Sequence, residues 1–260
     1  MSKSIYVFDS GVGGLTVLHQ ALNVLPLERY TYYADVKNSP YGNKSSEQVK
    51  KIIRDVFDNI DPKGVKACVI ACNTATSIVV DELRIKYDYP IIGMEPAVKP
   101  ALARAGKKKI ILLATELTLK EQKLKRLISS LNAEEQIIPI PAPELVQAAE
   151  NFTFHTNELK LILESKFDRL NLTEVGAMVL GCTHFVYFKP LLRSLLPDTV
   201  ELVDGNIGTI KRLTSLIKPT EQSYEDSLTC NFSGTIVSTD FLLPYLSYCD
   251  NHQINAYEKA

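Results

Sequence analysis

The sequence carries almost no surplus of charge. Its 29 basic and 30 acidic side chains leave a net charge of -1 over 260 residues. Nucleic-acid binding and attachment to an anionic membrane surface leave a basic excess or stripe, so neither partner is indicated. No apolar run approaches the ~20 residues needed to span a bilayer. The first strand-like segment begins within five residues of Met1, which leaves no room for a secretory leader. Cysteine is scarce and odd in number, at five. The C-x-x-C and H-x-x-x-H spacings of a zinc site are absent, and so is a disulfide framework. A cytoplasmic chain with reduced thiols is the expectation. The remainder, 45% hydrophobic and 23% charged, is ordinary for a soluble globular protein, with ample core for one large domain or two of usual size.

Two stretches stand out against this background. Residues 66–71 form a short apolar run that breaks into Cys72, Asn73 and Thr74, three small side chains where a buried strand should end. About 110 positions later, 177–181 does the same and stops at Cys182, Thr183 and His184. In open α/β sheets, ligands bind beyond the carboxyl ends of strands. Two such cysteines can therefore meet across one ligand if two sheets face each other.

Around these stretches the chain alternates strands and helices. A strand at 4–8 runs into a glycine-rich turn, Asp9 to Leu15, and a helix over 16–22. Gly11, Gly13 and Asp35 give part of a dinucleotide-binding fingerprint. However, Thr16 fills the third glycine position, and Asp9-Ser10 sets an acid where pyrophosphate would lie. A nucleotide-binding module stays open as a reading of another class. A tight turn with positive φ would also explain the glycines, but not the Asp-Ser pair. Residues 38–44 read as a loop, and Ser45 with Gln48 as a capping box opening a helix whose apolar side chains recur every three or four positions.

Further strands are expected at 89–93, 107–114, 136–140 and 200–204. Helices are expected over 77–87, from after Thr118 to about 131, and over 141–150, 157–170, 187–196 and 205–217. Pro96 and Pro100 predict a crossover rather than a continuous helix at 95–100. After a polar loop at 219–226, short strands at Cys230 and at Ile236-Val237 precede a polar helix or tail. This predicts an α/β protein of two similar doubly wound, flavodoxin-like domains. The first would be discontinuous, 1–96 plus 207–260, and the second would cover 97–206.

A lone cysteine is most often a buried small hydrophobe, which suits Cys68, Cys230 and Cys249. Cys72 and Cys182 differ by their strand-end position and polar followers. A cysteine phosphatase loop needs an arginine six residues on, where Ile78 and Phe188 stand. A Cys-His hydrolase would leave one of the two cysteines unused. Two equivalent thiols suit the movement of one proton across a plane. Racemisation beside a carboxylate needs a base on one face and an acid on the other, and a thiol with pKa near 8.5 serves as either. Asp9 is placed to orient or deprotonate Cys72, and His184 to do so for Cys182. A non-catalytic receptor for an acidic amino acid would need only the polar strand ends.

Six motifs in register give the reading a family. F-D-S-G-V-G-G-L-T-V-L at 8–18, Y-A-D with P-Y-G within 33–42, A-C-N-T-A at 71–75, P-A-V-K-P-A at 96–101, L-A-T-E-L-T at 113–118 and L-G-C-T-H at 180–184 together resemble glutamate racemase. The resemblance covers roughly 5–210. It implies two α/β domains with the site in the cleft between them, often as a homodimer, and interconversion of L- and D-glutamate without cofactor or metal to supply D-glutamate for peptidoglycan in a bacterial cytoplasm. It implies Cys72 on one face of Cα and Cys182 on the other. Asp9, Ser10, Pro40, Tyr41, Gly42, Asn73, Thr74, Thr183 and His184 would line the substrate site. Thr115 and Thr118 would help with the side-chain carboxylate, and Glu150 would assist the second thiol. Aspartate or broad-specificity racemases of the same superfamily are the nearest alternative. The chain departs from the common pattern at Phe185-Val186, where many members have proline second, and at 204–206, where others read D-S-G. It also lacks the amino-terminal extension that binds a cell-wall precursor activator in some members, so activity without such an activator is expected.

Overall fold

A computed structural model describes residues 3–221 and 227–255. The strands are β1 (Ser4–Asp9), β2 (Tyr30–Ala34), β3 (Val65–Ile70), β4 (Ile91–Gly93), β5 (Lys109–Ala114), β6 (Ile137–Pro141), β7 (Val175–Leu180), β8 (Glu201–Val203), β9 (Leu228–Phe232) and β10 (Thr235–Val237). The helices are α1 (Leu15–Val24), α2 (Ser46–Asp58), α3 (Asn73–Lys86), α4 (Val98–Ala105), α5 (Glu116–Lys120), α6 (Gln122–Ser130), α7 (Pro143–Glu150), α8 (Asn157–Phe167), α9 (Lys189–Leu195), α10 (Asn206–Leu216) and α11 (Leu243–Asn251). No described helix is long and apolar enough to cross a membrane.

The strands form two sheets, ordered β10-β9-β2-β1-β3-β4 and β6-β5-β7-β8. Without the terminal hairpin β9–β10, both follow one plan, with the second, first, third and fourth strands side by side. All neighbours are parallel except β10, which is antiparallel to β9. Even the irregularities match. Register slips by one residue between Ser4 and Ile5 where β1 meets β3, and between Lys109 and Ile110 where β5 meets β7. The fold is thus α/β with two doubly wound sheets, and Cys72 and Cys182 follow equivalent strands, β3 and β7.

Local chemistry accounts for the elements. β7 is buried at every position, as a central parallel strand covered on both faces must be. β6 lies at an edge, where Pro139 and Pro141 need no ladder donor. The Ser45–Gln48 capping box is present at α2, whose Val49, Ile53 and Phe57 are buried. The polar loop expected at 219–226 falls partly outside the described residues, as does the chain end beyond 255.

Four expectations need correction. α3 begins at Asn73 rather than near 77, because Cys72 itself caps it by accepting from the Ala75 N–H. Pro100 does not prevent a helix. It sits in the first turn of α4, where no intrahelical donor is needed. The single helix expected after Thr118 begins earlier, at Glu116, and is two, broken at Glu121, which has extended backbone. The helix expected from 187 starts only at Lys189, since 183–188 is wound as a 3-10 turn.

Phe57 is fully buried, with its ring against Phe8 and Tyr87. Phe57→Ala is expected to cost about 3–5 kcal/mol, read as a lower urea midpoint by circular dichroism. A midpoint equal to wild type would show that α2 contributes little to this core.

Candidate active site

The carboxyl ends of β1, β3, β5 and β7 open on one cleft of about 980 Å³. β1 and β3 flank the switch point of the first sheet, and β5 and β7 that of the second, which is where open sheets leave room for a ligand. Ser10, Pro40, Tyr41, Gly42, Cys72, Thr74, Thr115, Glu150, Cys182, Thr183 and His184 line it. Asp9, Asn73 and Thr118 stand one step behind the wall. Asn73 donates its Nδ2 to the Met94 carbonyl (3.1 Å). Glu116, Lys120, Glu144, Gln147 and Asn151 also line the cleft and were not anticipated. Their spacing was a usable signal, since 116/120 and 144/147/151 each fall on one face of a helix.

The two sulfurs have unlike surroundings. Cys72 is 6% exposed, at the amino end of α3. Its Sγ lies 3.4 Å from the Ala75 N and 3.8 Å from Ser10 Oγ. Burial pushes this thiol well up, and the Asp9 carboxyl nearby adds to that. Cys182 is 8% exposed, with Sγ 3.6 Å from His184 Nδ1. The other ring nitrogen, Nε2, is 2.7 Å from Glu150 Oε1. Burial alone would neutralise His184. The hydrogen bonds with Cys182 and Glu150, and their charges, outweigh it and hold the imidazolium well above the ordinary range. Nδ1–H then donates to Cys182 Sγ and Nε2–H to Glu150. Burial raises the Glu150 carboxyl, but His184 and the Val12 N–H (3.0 Å) more than reverse this.

Asp9 is fully buried, accepting from the Gly11 N–H (3.0 Å) and from Thr183 Oγ1 (3.1 Å). Burial raises its pKa from 3.8 to about 6, against the opposing pull of His184 and of these hydrogen bonds. Thr74, Thr115 and Thr118 form a closed ring of hydroxyls, with oxygens 2.9–3.1 Å apart. Thr74 belongs to α3, beside the first sheet, while the other two follow β5. Asp35, the acid of the dinucleotide alternative, is occupied by the Tyr41 phenol, Asn38 and Ser233.

The glycines of the first turn have a different cause from the one expected. Neither Gly11 nor Gly13 has positive φ. A Cβ on Gly11 would fall 1.7 Å from Glu150 Oε1, and one on Gly13 would fall 2.5 Å from His184 Nδ1 and 2.7 Å from the His184 backbone N. The turn is bare because the catalytic-looking side chains of the other sheet press against its backbone.

Comparison with known proteins gives the chain a family and its fold a set of solved relatives. Residues 17–213 match the model of the Asp/Glu/Hydantoin racemase family. A glutamate racemase of Halothermothrix orenii is 46% identical over 82% of this chain and 84% of its own length. Glutamate racemase 2 of Bacillus subtilis is 42% identical over 83% and 82%. The crystal structure of Escherichia coli glutamate racemase in complex with L-glutamate and the activator UDP-MurNAc-Ala superposes with a TM-score of 0.82 at 30% identity, covering 95% of this chain and 96% of that one.

Two predictions follow from the buried groups. The charged Asp9 carboxylate costs stability that is absent below about pH 3.8 and complete above about pH 6. Asp9→Asn should therefore melt above wild type at pH 8, by roughly 1–3 kcal/mol in stability, and the gap should close as pH falls through 6 towards 4. Thermal unfolding across a pH series checks this, and a gap that does not change with pH would contradict it. Gly13→Ala, which meets backbone, should lose about 1–3 kcal/mol. Gly11→Ala meets the movable end of Glu150 rather than backbone, so it should lose less than Gly13→Ala, its loss coming from the displaced bonds of Glu150 to His184 and Val12. Equal melting temperatures for the two would refute the distinction.

Proposed function

This chain belongs to the Asp/Glu/Hydantoin racemase family and is an isomerase, and from that premise we propose that it interconverts L- and D-glutamate by moving a proton between two thiols. The observation that carries the reading is the placement of Cys72 and Cys182 after equivalent strands, β3 and β7, both opening on one cleft.

Loss of the proton at Cα leaves a planar carbanion whose charge spreads into the neighbouring carboxylate. A thiolate on one face takes that proton, breaking C–H and forming S–H. A thiol on the other face gives its own, breaking S–H and forming C–H, and the configuration inverts. The two thiols exchange roles for the opposite enantiomer, so no cofactor is consumed. His184, held charged by Glu150, offers a cation to negative charge at Cys182 Sγ. The capping N–H of Ala75 and the Ser10 hydroxyl do the lesser equivalent for Cys72. Asp9, behind Cys72, anchors the turn and can take up a proton near pH 6. A site that changes charge at this pH suits acid–base work.

Ser10 and Thr183 face the ammonium and the α-carboxylate, with Asn73 supporting that wall from behind. The hydroxyls of Thr74 and Thr115 receive the side-chain carboxylate, with Thr118 holding them from behind, and Pro40, Tyr41 and Gly42 close the wall. The Escherichia coli relative, solved with L-glutamate, supports this substrate. Aspartate is the competing substrate, since one methylene in a pocket is worth only about 1–3 kcal/mol. On this reading the enzyme is a cytoplasmic homodimer, and its D-glutamate goes to peptidoglycan, as suits the bacterial origin of its relatives.

The test is circular dichroism of L-glutamate and, separately, D-glutamate, with no cofactor added. Wild type should bring both to zero rotation, while Cys72→Ser and Cys182→Ser should each lose at least about 100-fold in rate. Decay with aspartate at a comparable rate would replace glutamate by a broader substrate class. Retention of full activity by either variant would end the two-thiol mechanism.

A further inference from the structure

Tyr41 lines the cleft, but what holds it comes from the far end of the chain. Its phenol donates to Asp35 Oδ2 (2.6 Å), and Asp35 is 1% exposed. The other oxygen, Oδ1, accepts from Asn38 Nδ2 (3.0 Å) and from the hydroxyl of Ser233 (3.2 Å). The same hydroxyl accepts from the Lys37 N–H (3.0 Å), and the Ser233 N–H donates to the Ala34 carbonyl (2.9 Å). Ser233 is the turn between β9 and β10, beyond residue 213 where the family match ends.

The position of β9 explains how a distant residue reaches this loop. β9 runs parallel to β2, pairing from Tyr30 opposite Leu228 to Ala34 opposite Phe232. The two strands therefore finish together, and the hairpin turn falls beside the first residues after β2, which are Asp35 and the loop that carries Pro40 and Tyr41. Ser233 has φ of +49° and is followed by Gly234 at +92°. Positive φ favours glycine over any residue with a Cβ. Positive φ at both residues is what a two-residue hairpin turn of this hand requires, so the turn geometry sets the serine backbone, and its hydroxyl, engaged twice, makes the link to Asp35.

We infer that the β9–β10 hairpin braces the cleft wall, with Ser233 acting as a positioning residue for the 36–42 loop through Asp35 and Tyr41. The inference rests on the glutamate racemase reading for its kinetic consequence but not for its structural one. A loosened wall weakens substrate in ground and transition states alike, which raises KM and leaves kcat nearly unchanged.

Ser233→Gly removes the hydroxyl while relieving the backbone, so folding is preserved. It should raise KM for glutamate by about three- to tenfold, the worth of a hydrogen bond to a carboxylate shared with another donor, with kcat within about twofold of wild type. Thr235→Ala, on the exposed side of the same hairpin, should behave as wild type. Tyr41→Phe cuts the chain at its other end, so Ser233→Gly added to it should raise KM no further. Amide hydrogen exchange gives a readout independent of turnover: in Ser233→Gly, residues 36–44 should exchange faster while β3 does not. An unchanged KM, additive effects with Tyr41→Phe, or unchanged exchange at 36–44 would each overturn the brace. If wild-type protein leaves glutamate rotation untouched, the proposed function falls, and exchange alone then decides the brace.

Discussion

The site depends on one oxygen. Glu150 Oε1 accepts both from His184 Nε2, on its own side of the cleft, and from the Val12 amide of the opposite turn. The first bond keeps a buried imidazole charged, and the second ties the end of α7 to the first sheet. For both to exist, the backbone of the glycine turn must approach within the reach of a side-chain oxygen, which leaves no room for Cβ atoms. Behind Glu150, α7 is supported by aromatic rings. Phe152, Phe154, Tyr187, Tyr245 and Tyr248 stack edge and face across the junction with α11. Tyr187 also donates to the Val12 carbonyl. An ionic contact, a bare turn and an aromatic wedge are thus three parts of one fixture.

The two sheets repeat a plan, and the surroundings of the sulfurs break it. Cys72 sits at a helix start, shielded and close to a carboxyl, so the field around it favours the neutral thiol. Cys182 sits before a 3-10 turn with a cation 3.6 Å away. Symmetry of backbone supplies two equivalent approaches to a ligand lying between the sheets. Asymmetry of side chains sets a carboxyl near one sulfur and an imidazolium near the other.

Much of this was legible in the sequence, for reasons that can be named. The strand-end cysteines could be read because a buried parallel strand is a continuous apolar run whose end is abrupt. The capping box at Ser45 could be read because both partners are local. What could not be read depends on distance in the chain. The partners of Glu150 lie 34 and 138 positions away, and nothing in 143–150 announces them. The glycines were assigned to conformation when their cause is a neighbour from the other sheet. The helix start at Asn73 was missed because cysteine is not a common cap. The hairpin at 228–237 was seen as strands, but its pairing beside β2, which brings Ser233 to Asp35, is a tertiary fact that local pattern does not hold.

The ring formed by Thr74, Thr115 and Thr118 has a property of its own. Each hydroxyl gives one hydrogen and accepts another, and because Thr115 donates to Thr118, the circuit runs from Thr115 through Thr118 and Thr74 back to Thr115. Within the ring every hydroxyl hydrogen has an acceptor. When an acceptor arrives, a hydrogen can swing outward at the loss of a single internal bond, with Thr118 behind the wall keeping the other two in place. This end of the cleft thus keeps its hydrogens engaged with one another until an acceptor draws one of them outward.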